Sequence, residues 1–453
     1  IKFIFLCSLI FYGFWRVEFI FLILFSVIVD YFIALKIPIS NSQNKKKLLF
    51  LSISINLTLL FIFKYLNFFV ENFYSFAIFL NFELDPLLLN IILPLGISFY
   101  TFQTISYTVD VYRGNIKPEK CFFTYASYVT FFPQLIAGPI LRAKEIIPQL
   151  KKKKKIYKEE IYIGLKRIIY GLFLKVVIAD NISIFVDEGF LINSANLSAV
   201  DVWTLTFLFG FQIYFDFSAY SHIAIGSARL FGISFPENFN FPYLSNSPKE
   251  FWKKWHISLS SWIRDYLYLP LNRFKSKNNS NFGIGSEVSN SPINRSLFIT
   301  WGLMGFWHGA NWTFLMWGIF HALFIFLYRK FINLKIKLFK SYNHFGIIIT
   351  LPVIMLGWLP FRSESLSQSL ELFKIILDPN NYESLNMREN SYLACALILF
   401  SHFFVYFFIK KFSHFFKKLS LTVLVLEIIF LTFLISILIM YLRPINQFIY
   451  FQF

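Results

Sequence analysis

The sequence predicts an all-α, polytopic integral membrane protein, and three observations carry that prediction. Of 453 residues, 57% are hydrophobic and only 15% charged, with a mean hydropathy of +0.58. A soluble domain is about a quarter charged and under half apolar. Apolar runs near the ~20 residues that a membrane helix requires recur at 18–36, 48–66, 87–109, 160–179, 201–220, 311–333, 345–361, 391–410 and 421–442, with shorter or interrupted runs at 2–15, 121–140 and 294–307. The runs are continuous rather than alternating, which argues against a membrane β-barrel. The expectation is a single membrane-embedded domain over residues 1–453, crossing about ten or eleven times, with shorter re-entrant pieces.

Charge falls between these runs. The net charge of +18 is concentrated in Lys45–Lys47, Lys151–Lys155, Lys410-Lys411 and Lys417-Lys418. Short basic loops stay cytoplasmic and attract anionic membrane lipid. No folded basic domain stands outside the apolar runs, so nucleic-acid binding is not indicated. Cys7, Cys121 and Cys395 are far apart, with no metal-ligand spacing. The chain begins at Ile1 inside an apolar run, without a charged leader or cleavage site. The expectation is that an upstream N-terminal segment is missing.

In chain order, residues 1–36 read as two helices around Trp15-Arg16-Val17-Glu18, an interfacial signature. Asp30 lies in the second, near its end and within reach of water. Residues 37–47 read as a polar basic loop broken by Pro38. In 94–113, Pro94 and Gly96 weaken a regular helix, and Ser98, Thr101, Gln103, Thr104 and Ser106 either satisfy backbone groups or line a wet cavity. Residues 131–142, FFPQLIAGPILR, are two short apolar arms broken by Pro133 and Gly138-Pro139. A broken helix at membrane depth is tolerated inside protein or beside water.

Asp216, Ser218, Tyr220, Ser221, His222 and Arg229 are too polar for a lipid-facing helix, and His222 alone reads as a hydrogen-bonded packing residue. Residues 247–271 read as one amphipathic basic helix. Ser247-Pro248-Lys249-Glu250 fits a capping box, and Trp252, His256, Ser260, Ile263 and Leu267 follow along one side. Such a helix lies in the membrane interface. Residues 272–294 form a hydrophilic loop rich in Asn, Ser, Lys and Gly.

The stretch 301–317, WGLMGFWHGANWTFLMW, places His308 in apolar surroundings. As one helix it puts Trp301, Met304, Gly305, His308, Asn311, Trp312 and Leu315 on one face, and glycines 302, 305 and 309 permit close helix approach or a break. A neutral imidazole there can take a proton from a hydroxyl or thiol. On composition alone, packing is the commoner role. The chain has no nucleophile elbow, zincin helix, phosphate loop or dinucleotide fingerprint. No third ligand accompanies His256 and His308, so no metal site is expected.

Five motifs occur together in order: PLGISFYTFQTISYTVDVYRG at 94–114, FFPQLIAGPILR at 131–142, YFDFSAYSHIAIGSARLFGISFPENFNFPY at 214–243, FWKKWHISLSSWIRDYLYLPL at 251–271 and FWHGANW at 306–312. Over about residues 1–440 the chain resembles the bacterial membrane-bound O-acyltransferase (MBOAT) family, in particular its alginate O-acetyltransferase branch. The resemblance implies a ring of membrane helices around a central channel in the bacterial inner membrane. It implies that His308 is the catalytic histidine and His256 the second family histidine. Trp252, Trp255, Ser260, Arg264, Asn311 and Trp312 around them are the candidate substrate-binding residues. The resemblance implies an N-terminus short by one family helix. His321 precedes Ala322 where the branch often has glycine; little effect is expected, because on a continuous helix His321 falls opposite His308.

The implied chemistry is transfer of an acyl group, in the first place acetyl, from a cytoplasmic thioester such as acetyl-CoA toward an exported polysaccharide. His308 would be the general base, and His256 would position the donor or polarise its carbonyl. No bound cofactor is expected. Lys253, Lys254 and Lys151–Lys155 would attract an acidic donor, and an outer, periplasmic transferase would be the partner that passes acetyl to the polymer. The rival readings are D-alanyl transfer to teichoic acid, a transporter or flippase for a lipid-linked sugar, and a non-catalytic scaffold.

Overall fold

The computed structural model describes residues 1–82, 89–152, 155, 157–273, 292–333, 342–417, 421–441, 444 and 446–449, and the regular elements among them are helical. Six of these helices are long and apolar enough to cross a membrane: Glu18–Lys36, Ser42–Phe79, Lys158–Phe190, Trp312–Phe331, Glu389–Phe412 and Thr422–Met440. Lys2–Gly13 and Gly346–Arg362 are shorter apolar helices. The chain is a multi-pass membrane protein.

Several boundaries differ from the sequence reading, each for a local reason. The run at 48–66 belongs to a longer helix that continues through a π turn at Phe61–Tyr65, and the run at 160–179 likewise continues through one at Phe173–Ala179. The widened turns carry Lys64 and Lys175 within the helix instead of ending it. The expected basic loop 37–47 is partly helical. Asn41 accepts the Asn44 N–H at 2.9 Å and starts the helix at Ser42, which places Lys45–Lys47 in its first turns. The run at 87–109 is helical only from Ile97, because residues 89–94 are irregular and Gly96, at φ +72°, turns the chain into Ile97–Tyr112. Of the hydrophilic loop 272–294, residues 274–291 lie outside the described residues.

The chain forms two compact units: Ile1–Gly164 with Ala224–Pro236, and Leu165–Ile223 with Glu237–Phe453. In the first, Asp30 is fully buried rather than within reach of water. The Ser52 hydroxyl donates to its Oδ1 at 2.5 Å and the Asn56 amide to its Oδ2 at 2.8 Å. The Ser26 and Thr104 hydroxyls in turn donate to Asn56 Oδ1, at 2.7 and 3.2 Å. A carboxylate taken from water requires such partners, and this network ties three helices together. The hydroxyls of Ser106 and Thr108 donate to carbonyls of their own helix, at Gln103 and Thr104, the backbone-satisfying role.

In the second unit, the expected helix 247–271 is not continuous. It is Pro248–Lys254, then Ile257–Ile263, a π turn at Arg264–Tyr268 and Leu269–Arg273. One half of the capping box at its start is present, with Ser247 Oγ accepting the Glu250 N–H at 3.2 Å, while the Glu250 carboxylate reaches one residue further back and accepts the Asn246 N–H at 2.8 Å. The break falls at Trp255-His256, where His256 adopts the left-handed conformation at φ +40°. The stretch 301–317 is not one helix either. Pro292–His308 ends at the histidine, and a new helix, Trp312–Asn333, begins after Gly309–Asn311.

These two helices pack as a tight hairpin in which Gly305 lies against the backbone of Phe314 and Gly318 against that of Trp301. A side chain at either position would meet main chain, so small residues set the close approach. Elsewhere in this unit Lys175 forms buried ion pairs with Asp180 at 2.8 Å and Asp216 at 2.6 Å. His222 accepts from Arg167 at 2.7 Å and meets Tyr170 edge to face.

Candidate active site

The two helix breaks build the site, which lies within the second unit. His308 is the last residue of Pro292–His308 and is buried. Its ring is boxed by Trp307, Trp317 and Phe361, with centroids at 4.9, 4.9 and 5.1 Å and all three edge-on. The carboxyl end of a helix carries partial negative charge and stabilises a nearby cation by up to ~2 kcal/mol. An imidazole there gains help when it takes up a proton, which is what a general base needs.

His256 stands at the other break. Its left-handed backbone is held by the segment before it: Ile257 N–H donates to the Asn238 carbonyl at 2.9 Å, and Asn240 N–H to the Lys254 carbonyl at 3.0 Å. The ring is fully buried against Phe217, edge-on at 4.6 Å, and Phe239, face-on at 6.4 Å. Burial penalises the imidazolium and pushes its pKa down to about 3, so His256 is neutral at neutral pH. Trp307 lies 6.5 Å from the His256 ring and 4.9 Å from that of His308. Two histidines 52 residues apart in sequence thus share one indole.

The other sequence-predicted residues divide. Trp252 and Trp255 are buried in the same aromatic cluster, Trp252 against Trp301 at 4.5 Å and Trp317 at 5.9 Å, and Trp255 against Trp358 at 5.0 Å. Ser260 donates to the Trp255 carbonyl at 3.1 Å. With Trp252, Thr300 and Trp301 it also lines a cavity of about 30 Å³, room for a group the size of one or two waters. The remaining three stand apart from the box. Arg264 is partly exposed and pairs with Asp265 at 2.7 Å. Asn311 caps the second hairpin helix, accepting the Thr313 N–H at 3.0 Å and donating to the Glu364 carbonyl at 3.2 Å. Trp312 is 42% exposed and packs on Phe306. Once the chain turns at Gly309–Asn311, these last two no longer share a helical face with His308.

Sequence reasoning missed the place of two residues, His321 and Asn238. His321, expected opposite His308, is folded back by the hairpin into the cluster, between Trp252 at 5.1 Å, Trp317 at 4.8 Å and Trp301 at 5.7 Å. Trp317 bridges it to His308. Asn238, fully buried, contacts His256 directly at 3.2 Å. The hairpin was readable in the glycines at 302, 305 and 309; nothing in the sequence marked Asn238.

The arrangement offers buried imidazoles in an aromatic setting, which suits proton transfer during acyl transfer. The model of the membrane-bound O-acyltransferase family matches residues 121–355, a stretch that holds both histidines. The chain is 37% identical over 397 residues to the peptidoglycan O-acetyltransferase of Helicobacter pylori, covering 82% of this chain and 72% of that protein. It is 34% identical over 409 residues to the protein of Pseudomonas aeruginosa named "Probable alginate O-acetylase AlgI", covering 89% and 75%. It is 30% identical over 291 residues to the teichoic acid D-alanyltransferase of Bacillus subtilis, covering 61% and 70%. A family match of this extent, with relatives this similar over most of their length, makes the chain a member of the membrane-bound O-acyltransferase family and a membrane O-acyltransferase.

Proposed function

We propose that this enzyme moves acetyl groups from a cytoplasmic thioester, acetyl-CoA or another acyl carrier, across the bacterial inner membrane for O-acetylation of an exported or cell-surface polysaccharide. The observation that carries the reading is that His308 and His256 are both buried among aromatic rings and share Trp307 as a neighbour. In the reaction, the accepting hydroxyl oxygen attacks the thioester carbon and its proton passes to the His308 imidazole. The carbon–sulfur bond breaks, and the imidazolium returns the proton to the departing thiolate. A general base in this position contributes ~10²–10⁴-fold. His256 positions the donor, and an outer transferase partner receives the acetyl group or hands it to the polymer.

Acetyl is favoured over D-alanyl because the relatives named for O-acetylation align over 82% and 89% of the chain, against 61% for the D-alanyltransferase. Polymer O-acetylation in cells carrying His308→Ala tests the reading. Loss of polymer acetate with normal amounts of protein in the membrane is the expected result. Normal acetate content rules out His308 as the base and favours a transporter or scaffold.

A further inference from the structure

The hydrogen bonds around Asn238 determine which nitrogen of His256 carries its proton. The Ser258 backbone N–H points at one atom of the Asn238 side chain, at 3.2 Å. A backbone N–H can only donate, so that atom is the amide oxygen, Oδ1. The Asn238 amide nitrogen accordingly faces the other way and donates to Ser221 Oγ at 3.1 Å. The same Oδ1 lies 3.2 Å from His256 Nδ1 and accepts the Ser258 hydroxyl at 2.9 Å. The Ser258 hydroxyl also lies 3.5 Å from Nδ1, but its single hydrogen goes to the nearer Oδ1, so neither neighbour offers Nδ1 a hydrogen. An unprotonated Nδ1 would set its lone pair against those of Oδ1, which favours the proton on Nδ1. In a neutral ring that leaves the lone pair on Nε2. Asn238 is itself firmly held, because it is fully buried and its backbone carbonyl also takes the Ile257 N–H. It thereby caps the helix Ile257–Ile263 from a distant segment.

We propose that Asn238 is a positioning residue that fixes His256 in the Nδ1–H tautomer, so that Nε2 meets the substrate as a hydrogen-bond acceptor. The substrate-facing half rests on the functional reading above. It narrows the role of His256: the neutral ring receives an O–H, N–H or S–H of donor or acceptor and does not polarise the thioester carbonyl, which would need a proton on Nε2.

Long-range proton–nitrogen correlation spectra of the full chain in nanodiscs, with nitrogen-15 histidine, read the tautomer directly. The His256 signals are identified by their loss in His256→Gln. The expected result is the Nδ1–H pattern in the wild type, retained in Asn238→Asp, which keeps an acceptor in place. In Asn238→Leu the pattern shifts toward Nε2–H and kcat for acyl transfer falls about ten-fold or more, as when a histidine loses its orienting partner. An Nε2–H wild-type ring overturns the proposal, as does an unchanged tautomer in Asn238→Leu. Should the leucine variant fail to assemble, a well-assembled Asn238→Asp protein with an Nε2–H ring is equally decisive against it. A wild-type transfer rate for His256→Gln overturns the substrate-facing half together with the role given to His256, while the tautomer assignment stands or falls on its spectrum.

Discussion

Gly318→Ala tests whether the hairpin geometry sets the position of His308. A Cβ at residue 318 would lie 3.0 Å from the Trp301 carbonyl carbon and 3.3 Å from Gly305 Cα, and inside contact distance of the Trp301 carbonyl oxygen. Carbon atoms pack best at about 3.5–4.0 Å, so the helices must part by roughly 0.5–1 Å. The obstructing atoms are main chain and cannot rotate away. Such overpacking costs about 1–3 kcal/mol. Trp317, the preceding residue, packs on the His308 ring at 4.9 Å, so the box around the histidine shifts with the helix. A misplacement near 1 Å can cost ~10²-fold in rate.

The control lies on the partner helix. A Cβ at Gly302 would stand 3.4 Å from a Leu315 methyl, ordinary contact with a side chain that can adjust, and alanine gains about 1 kcal/mol of helix propensity. Acyl transfer per amount of membrane-inserted protein is expected to fall at least ten-fold in Gly318→Ala and to stay within two-fold of wild type in Gly302→Ala. Equal activity of the two variants would refute the geometric reasoning.

The buried neutral His256 makes stability depend on pH. Its folded pKa is depressed to about 3, below the unfolded value near ~6.5, so the unfolded chain binds the extra proton first and stability falls as pH drops through that window. Between pH 6.5 and 5 the loss is about 1.6 kcal/mol for any folded pKa well under 5. Thermal unfolding in detergent at the two pH values should show this loss in the wild type and a smaller one in His256→Gln; identical slopes count against it. Lys175→Met leaves the buried carboxylates of Asp180 and Asp216 without their cation and should destabilise the protein by roughly 3–5 kcal/mol. Size-exclusion recovery after heating measures this, and adding Asp180→Asn and Asp216→Asn should restore part of the loss.

The membrane helices were legible in the sequence because a bilayer demands long apolar runs, and Glu18–Lys36 coincides with the run at 18–36. Helix ends set by charges were less legible, since π turns carry Lys64 and Lys175 through. The break at Trp255-His256 had no local signal: neither residue is a helix breaker, and the left-handed turn is imposed by bonds from Asn238 and Asn240. Long-range bonds of that kind leave no periodicity to read. His321 escapes sequence reasoning for the opposite reason. Helical phase carries straight across Gly309–Asn311, where the chain in fact reverses. His308 and His256 were singled out as candidates through ordered motifs, and in the structure one tryptophan, Trp307, lies near both rings.

Transfer of radiolabelled acetyl from a thioester by purified protein in proteoliposomes, wild type against His308→Ala at equal donor binding, tests most directly whether His308 is the base. A fall of ~10²–10⁴-fold in the transfer rate is the predicted result; a variant that transfers acetyl within two-fold of the wild type would contradict it.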